Sequence, residues 1–157
     1  MLNTGDTVND FSLLDQHGNE VNWASLRGTP VVVFFYPKAS TPGCTKEACG
    51  FQDLSTAFGK IGVKVLGASA DTVKRQANFA VKQQLEMPLL SDPEKAILIP
   101  WGVWGPKKLY GREYEGIIRS TFLFDADGKV VQVWSPVRVK GHVEDVLSAA
   151  QELAARN

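Results

Sequence analysis

The run Pro30-Val31-Val32-Val33-Phe34-Phe35-Tyr36 constrains the fold more than any other stretch of the chain. Its residues are β-branched and aromatic with no polar alternation, so a strand built from them is covered on both faces. It belongs inside a sheet, with other elements above and below it. Pro37 has no N–H for a ladder and ends the strand. Thr41-Pro42 then supplies a helix start, with threonine as N-cap and proline at the first helical position. Ala48, Phe51, Leu54 and Phe58 recur at helical spacing up to Gly59.

The rest of the chain alternates in the same way. Residues 61–69 read as a second buried strand, and Asp71 is positioned to cap a helix carrying Val73, Phe79, Val81 and Leu85. Residues 89–92 form a strand end before Pro93, and 96–101 fit helix or strand, interrupted by Pro100. Two hairpins are legible. Residues 11–14 and 21–23 flank the turn cluster 15–20, and residues 120–124 and 129–134 flank Asp125-Ala126-Asp127-Gly128. Ala24-Ser25-Leu26-Arg27-Gly28 reads as a short helical turn ended by glycine. An amphipathic helix over 143–154, with Val146, Leu147 and Leu153 inward, closes the chain. Strands alternating with helices, then a hairpin, predict an α/β fold. The expected form is one domain over residues 1–157: a thioredoxin-like mixed sheet sandwiched by helices, with an N-terminal β-hairpin.

Charge and cysteine usage narrow the function. The 17 basic and 17 acidic residues cancel, which argues against nucleic acid or an anionic membrane as partner. No apolar stretch approaches the ~20 residues that span a bilayer. Residues 1–8 carry neither a basic cluster nor an apolar run, so no secretory signal is expected. Two cysteines are too few for a disulfide scaffold, which points to a reducing, cytoplasmic setting.

Those two cysteines, Cys44 and Cys49, both follow the strand-to-helix turn. Only the thiolate is nucleophilic, and helix N-termini and nearby cations favour it. Cys44 falls at the third helical position, beside free backbone N–H groups. Gly43 removes bulk next to it, and Thr41 offers a hydroxyl either to a reacting oxygen or only to the helix cap. Cys44 as a small core residue is the plain alternative. Cys49 lies five residues on, which in an intact helix separates the Cα atoms by roughly 8–9 Å with a rotation of about 140°. A disulfide needs less than ~7 Å. The two sulfurs therefore bond only if the first turns unwind; otherwise Cys49 is a core neighbour of Phe51.

Pro37-x-x-x-Thr41-x-x-Cys44 resembles the active-site motif of the peroxiredoxins, and the string from Tyr36 to Cys49 resembles their bacterioferritin comigratory protein (peroxiredoxin Q) branch. Leu90-Ser91-Asp92-Pro93, Gly102-Val103-Trp104-Gly105, Arg119-Ser120-Thr121-Phe122-Leu123 and Val139-Lys140-Gly141-His142 extend the likeness over nearly the whole chain. Residues 97–101 depart from it, where a more helical segment ending in tyrosine is expected. The resemblance implies a thioredoxin-dependent peroxidase acting on hydrogen peroxide and organic hydroperoxides, without cofactor or metal. Cys44 is then the peroxidatic thiolate and Cys49 the resolving thiol of an intramolecular disulfide. Thr41 holds the peroxide, Pro37 shields the thiolate, and Arg119 stabilises it and polarises the substrate. Glu47 orients Arg119 or simply favours the helix dipole. The resemblance also implies a monomer.

Two other readings use the same cysteines: a thiol–disulfide oxidoreductase, usually built on Cys-x-x-Cys, and a redox sensor that passes oxidation to a partner. His17 and His142 lack a ligand cluster, and Asp125-Ala126-Asp127-Gly128 lacks the following glutamate of a calcium loop. Trp101 and Trp104 read as packing aromatics or as a pocket lining.

Overall fold

The apolar run becomes β3 (Val31–Phe35), and every residue of that strand is buried. The computed structural model describes residues 1–156; Asn157, the end of the expected unit, lies outside them. Before β3 come β1 (Ser12–Leu14), β2 (Glu20–Asn22) and a 3₁₀ turn, Trp23–Leu26. After it come α1 (Pro42–Asp53), α2 (Ser55–Lys60), β4 (Lys64–Ser69), α3 (Val73–Gln83) and β5 (Leu89–Ser91). The chain ends with β6 (Trp104–Leu109), β7 (Arg112–Ile117), β8 (Ser120–Phe124), β9 (Val130–Trp134) and α4 (His142–Ala155).

Seven strands form one mixed sheet in the order β2-β1-β5-β4-β3-β8-β9. β3 pairs parallel with β4 and antiparallel with β8, so it occupies the interior its sequence demands. Its side chains alternate between two cores. Val32 and Phe34, with Tyr36 beyond the strand, meet Cys44, Ala48, Phe51, Phe58, Phe79 and Val146. Val31, Val33 and Phe35 meet Trp23, Ile97, Leu98, Trp101, Phe122 and Phe124.

The thioredoxin-like architecture is as expected, but its helical cover is one-sided. The parallel crossovers from β3 to β4 and from β4 to β5 step the same way along the sheet, so right-handedness places α1 and α3 on one face. α4 packs there too. The second face is closed by the 3₁₀ turn and by residues 95–103. This segment contains residues 97–101, whose sequence departs from the peroxiredoxin pattern. Asp92 holds it by accepting N–H bonds from Ala96, Ile97 and Leu98 at 2.7, 2.9 and 3.0 Å. Trp101 sits there in an aromatic cluster with Phe11, Trp23, Phe35, Phe122 and Phe124.

Four local expectations are corrected. The helix expected through residue 59 breaks at Leu54 and resumes as α2. Thr72, not Asp71, caps α3, its Oγ1 accepting from Arg75 N–H. Val81 is 79% exposed, so it lies off the core face of α3. The β6–β7 ribbon is an unforeseen second sheet. It turns at Tyr110-Gly111, where both φ angles are positive (52° and 77°), as the tight two-residue hairpin turn requires.

Candidate active site

β3 delivers the chain to Pro37, half-buried at the start of the turn that leads into α1. Ser40 then adopts φ +68°, an uncommon conformation for a residue with a Cβ. Thr41 is the N-cap, but its side chain does not cap the helix. Its carbonyl accepts from Thr45 N–H at 2.8 Å, while its hydroxyl donates to Lys38 O at 2.7 Å. The Thr41 oxygen therefore keeps lone pairs free beside the helix start. Cys44 is the third residue of α1 and 1% exposed.

The link between β7 and β8 brings Arg119 to Cys44 from 75 residues away. Its backbone carbonyl is held by Val137 N–H at 2.9 Å. Nη2 lies 3.4 Å from Cys44 Sγ, and Nη1 donates to Glu47 Oε1 at 2.8 Å. Glu47 projects from the next turn of the same helix and is completely buried. Gly43 makes room for this arrangement. A Cβ there would lie 3.2 Å from Arg119 Nη2, so the room left by the missing side chain is taken by the guanidinium.

Electrostatics follow from burial. Desolvation pushes the Glu47 carboxyl up to about 7 against the opposing pull of Arg119. Burial also works against the Arg119 charge, but Cys44 and Glu47 outweigh it and raise its pKa above the ordinary value. His142, the first residue of α4, stands behind the pair and is an addition that sequence reasoning missed. Its Nε2 is 2.8 Å from Thr121 Oγ1 and 3.8 Å from Glu47 Oε2. The ring packs edge-on against Phe51 and Trp134. Burial lowers its pKa to about 4, so near neutrality the imidazole carries no charge. Glu47 Oε2 is left without a hydrogen-bond partner.

The β6–β7 ribbon adds another cation. Lys107 Nζ donates to Ile117 O at 2.8 Å, two residues before Arg119. Burial and the Arg119 charge lower its pKa, while Cys44 raises it. A ribbon invisible in the sequence left this lysine unplaced.

Cys49 sits further along the unbroken α1, half-buried, with Sγ 3.7 Å from Gln83 Oε1. Burial raises its pKa, with a smaller push from Asp53. Both thiols are free. A cavity of about 350 Å³, lined in part by Cys49, Lys46, Asp53 and Val143, opens beside it. The structure thus joins Cys44, Gly43, Arg119 and Glu47 in direct contact and holds Cys49 apart on the same helix. Trp104 is tied by its Nε1–H to Glu115. Among the described residues, no three potential ligands converge as a metal site, and no helix is long and apolar enough to cross a membrane.

Comparison with known proteins gives consistent matches. The AhpC/TSA family model matches residues 4–133. Peroxiredoxin Bcp of Escherichia coli strain K12 is 44% identical over 153 residues, covering 98% of each chain. A structure of Xanthomonas campestris peroxiredoxin Q superposes with a TM-score of 0.88 at 42% identity, covering 92% of this chain and 91% of that one. Another, of the X. campestris bacterioferritin comigratory protein described for its alkyl peroxide reduction, has a TM-score of 0.88 at 39% identity, over 95% and 99% of the two chains.

Proposed function

This chain belongs to the AhpC/TSA family, the peroxiredoxins, and from that membership we propose how its own residues divide the reaction. It is a thiol peroxidase. The observation that carries the residue assignment is the Arg119 guanidinium bridging Cys44 Sγ and buried Glu47.

The Cys44 thiolate attacks the terminal oxygen of a hydroperoxide. The O–O bond breaks, Cys44 becomes a sulfenic acid, and the leaving oxygen takes a proton to depart as water or an alcohol. Arg119 stabilises the thiolate before attack and then the negative charge on the leaving oxygen. Thr41 offers its hydroxyl oxygen to the peroxide O–H, and Pro37 covers the turn. Glu47 orients Arg119, and Gly43 gives it space. The Cys49 thiol then displaces water from the sulfenic acid, forming the Cys44–Cys49 disulfide. A thioredoxin-type dithiol reduces that disulfide and is itself oxidised. Hydrogen peroxide and alkyl hydroperoxides are the substrate class. Residues 1–157 act as one domain and, by resemblance to the family, as a monomer; the scarcity of cysteine accords with a cytoplasmic setting.

In a thioredoxin-coupled assay the wild type consumes peroxide catalytically and Cys44→Ser consumes none; retained turnover in that variant overturns the assignment. Cys49→Ser stops at a sulfenic acid that overoxidises or requires an added thiol. One equivalent of peroxide removes two hydrogens from the wild type and leaves no free thiol. A thiol–disulfide oxidoreductase would instead reduce insulin without peroxide dependence.

A further inference from the structure

The sequence offers Asp71 as a helix cap, and the structure employs it elsewhere. Because Thr72 caps α3, the Asp71 carboxylate is free to turn toward the active-site turn. Its Oδ2 accepts from Ala39 N–H at 2.7 Å and from the Ser69 hydroxyl at 2.7 Å. Asp71 is 7% exposed, and among the described residues only the Arg75 guanidinium, 3.9 Å away and largely in solvent, pairs with it as a counter-charge.

Behind the carboxylate lies a satisfied buried network. Ser69 Oγ accepts from Asp71 N–H at 3.2 Å and from Gln76 Nε2 at 2.9 Å. Gln76 also donates to Leu90 O at 2.9 Å and accepts from the Tyr36 hydroxyl at 2.5 Å. Burial keeps the Tyr36 phenol protonated and therefore a donor. The network ties β3, β4, β5 and α3 together, all outside the segment that must unwind. Through the Asp71 side chain it reaches the turn at Ala39 N–H, one residue before Ser40, the strained position. Thr41 and α1 follow directly.

We propose that Asp71 is a positioning residue: its carboxylate clamps the Pro37-to-Thr41 turn and thereby sets the balance between the folded, peroxide-reactive helix start and the unwound form in which Cys49 reaches Cys44. This rests on the two-cysteine cycle proposed above. The clamp holds the strained turn in the folded form, where Thr41 and the first N–H groups of α1 are in place. Releasing it slows attack on peroxide and speeds disulfide formation.

The experiment measures both steps by stopped flow in the wild type, Asp71→Ala and Asp71→Asn. The Ala variant should lower the second-order peroxide rate and raise the first-order rate of disulfide formation, with the ratio of the two shifting by roughly 10- to 100-fold, as expected for loss of one charge-assisted hydrogen bond. The Asn variant keeps an oxygen able to accept from Ala39 N–H and should restore most of both changes. Ser69→Ala, which leaves the Ala39 bond intact, should shift both rates the same ways by less, and it serves if Asp71→Ala does not fold. Two rates that fall together, or an Asn variant no closer to wild type than Ala, overturn the clamp. A wild type that forms no Cys44–Cys49 disulfide overturns the cycle itself, and the clamp with it; mass analysis of the wild type alone distinguishes that failure.

Discussion

Arg119→Met separates the two jobs assigned to the guanidinium. It removes the 2.8 Å bond to Glu47 and the 3.4 Å contact with Cys44 while keeping most of the side-chain volume. Glu47 is fully buried, its Oε2 is already unpartnered, and the nearby His142 is uncharged near neutrality. Removing one partner of a buried pair costs about 3–5 kcal/mol. Protonation of Glu47 relieves this, and the sign is fixed by its pKa. A folded value of about 7, above the ordinary 4.5, means a stabilising contribution fully present below 4.5 and lost as pH rises through 7. Without Arg119 the folded value climbs further, so the stability penalty relative to wild type is smallest near pH 5 and largest near pH 8. Urea unfolding across that range checks this. Peroxidase activity should fall roughly 100- to 1000-fold, the usual consequence of losing one preorganised donor to a developing charge, about 2.7–4 kcal/mol. Arg119→Met with Glu47→Gln removes the buried charge and should recover most of the stability but none of the activity. Turnover within threefold of wild type in the single variant refutes the electrostatic role. A double variant as unstable as the single refutes the stranded-charge argument.

Other perturbations probe the same cluster. Gly43→Ala places a Cβ 3.2 Å from Arg119 Nη2 and pushes the guanidinium a few tenths of an ångström from its place at the thiolate; the peroxide rate should drop severalfold with little change in melting temperature, and an unchanged rate counts against close packing at this point. Glu47 and His142 oppose each other with pH. The His142 value of about 4, below the ordinary 6.5, gives a contribution present above 6.5 and lost as pH falls through 4. Each group amounts to about 3 kcal/mol. Relative to wild type, Glu47→Gln should lose stability more steeply on acidification from pH 7 to 4, whereas His142→Gln should lose less. Parallel curves for all three proteins refute the pairing.

What the sequence made legible was whatever depends on short-range pattern. β3 declared itself by unbroken apolar character, α1 by Thr41-Pro42, and the β8–β9 hairpin by Asp125, whose Oδ1 accepts from Asp127 and Lys129 N–H in the turn. The Cys44 motif is equally local. What stayed hidden depends on what approaches from a distance. The β6–β7 ribbon has Pro106, several charges and a Tyr-Gly turn in place of Asn-Gly, so neither alternation nor turn chemistry marks it. Asp71 and Thr72 are both good caps, and only the position of Ala39 decides between them. His142 is unremarkable until α4 is laid against α1. Alternation predicts helical cover on both faces, yet crossover handedness puts α1 and α3 on the same side.

The same reasoning locates where unwinding of α1 should stop. Toward the C-terminal end, Phe51 stacks on Phe34 with centroids 4.5 Å apart and also contacts Phe58 and His142. That anchorage stays intact if the helix opens only as far as Gly50, the residue directly after Cys49, and both sulfurs are then free to meet. Gly50 has two roles at this boundary. It weakens the helix by about 0.8–1.0 kcal/mol relative to alanine, and it lets α4 approach, since a Cβ would lie 2.9 Å from Val143 Cγ2. Gly50→Ala alone combines a gain in helix propensity with an overpacking loss of about 1–3 kcal/mol, so its melting temperature should fall. Val143→Ala removes the clashing methyl groups. In that background Gly50→Ala expresses mainly the propensity gain and should slow disulfide formation after peroxide by roughly fivefold compared with Val143→Ala alone. An equal or faster rate would place the boundary of unwinding short of residue 50 and move the hinge into the first turn of α1.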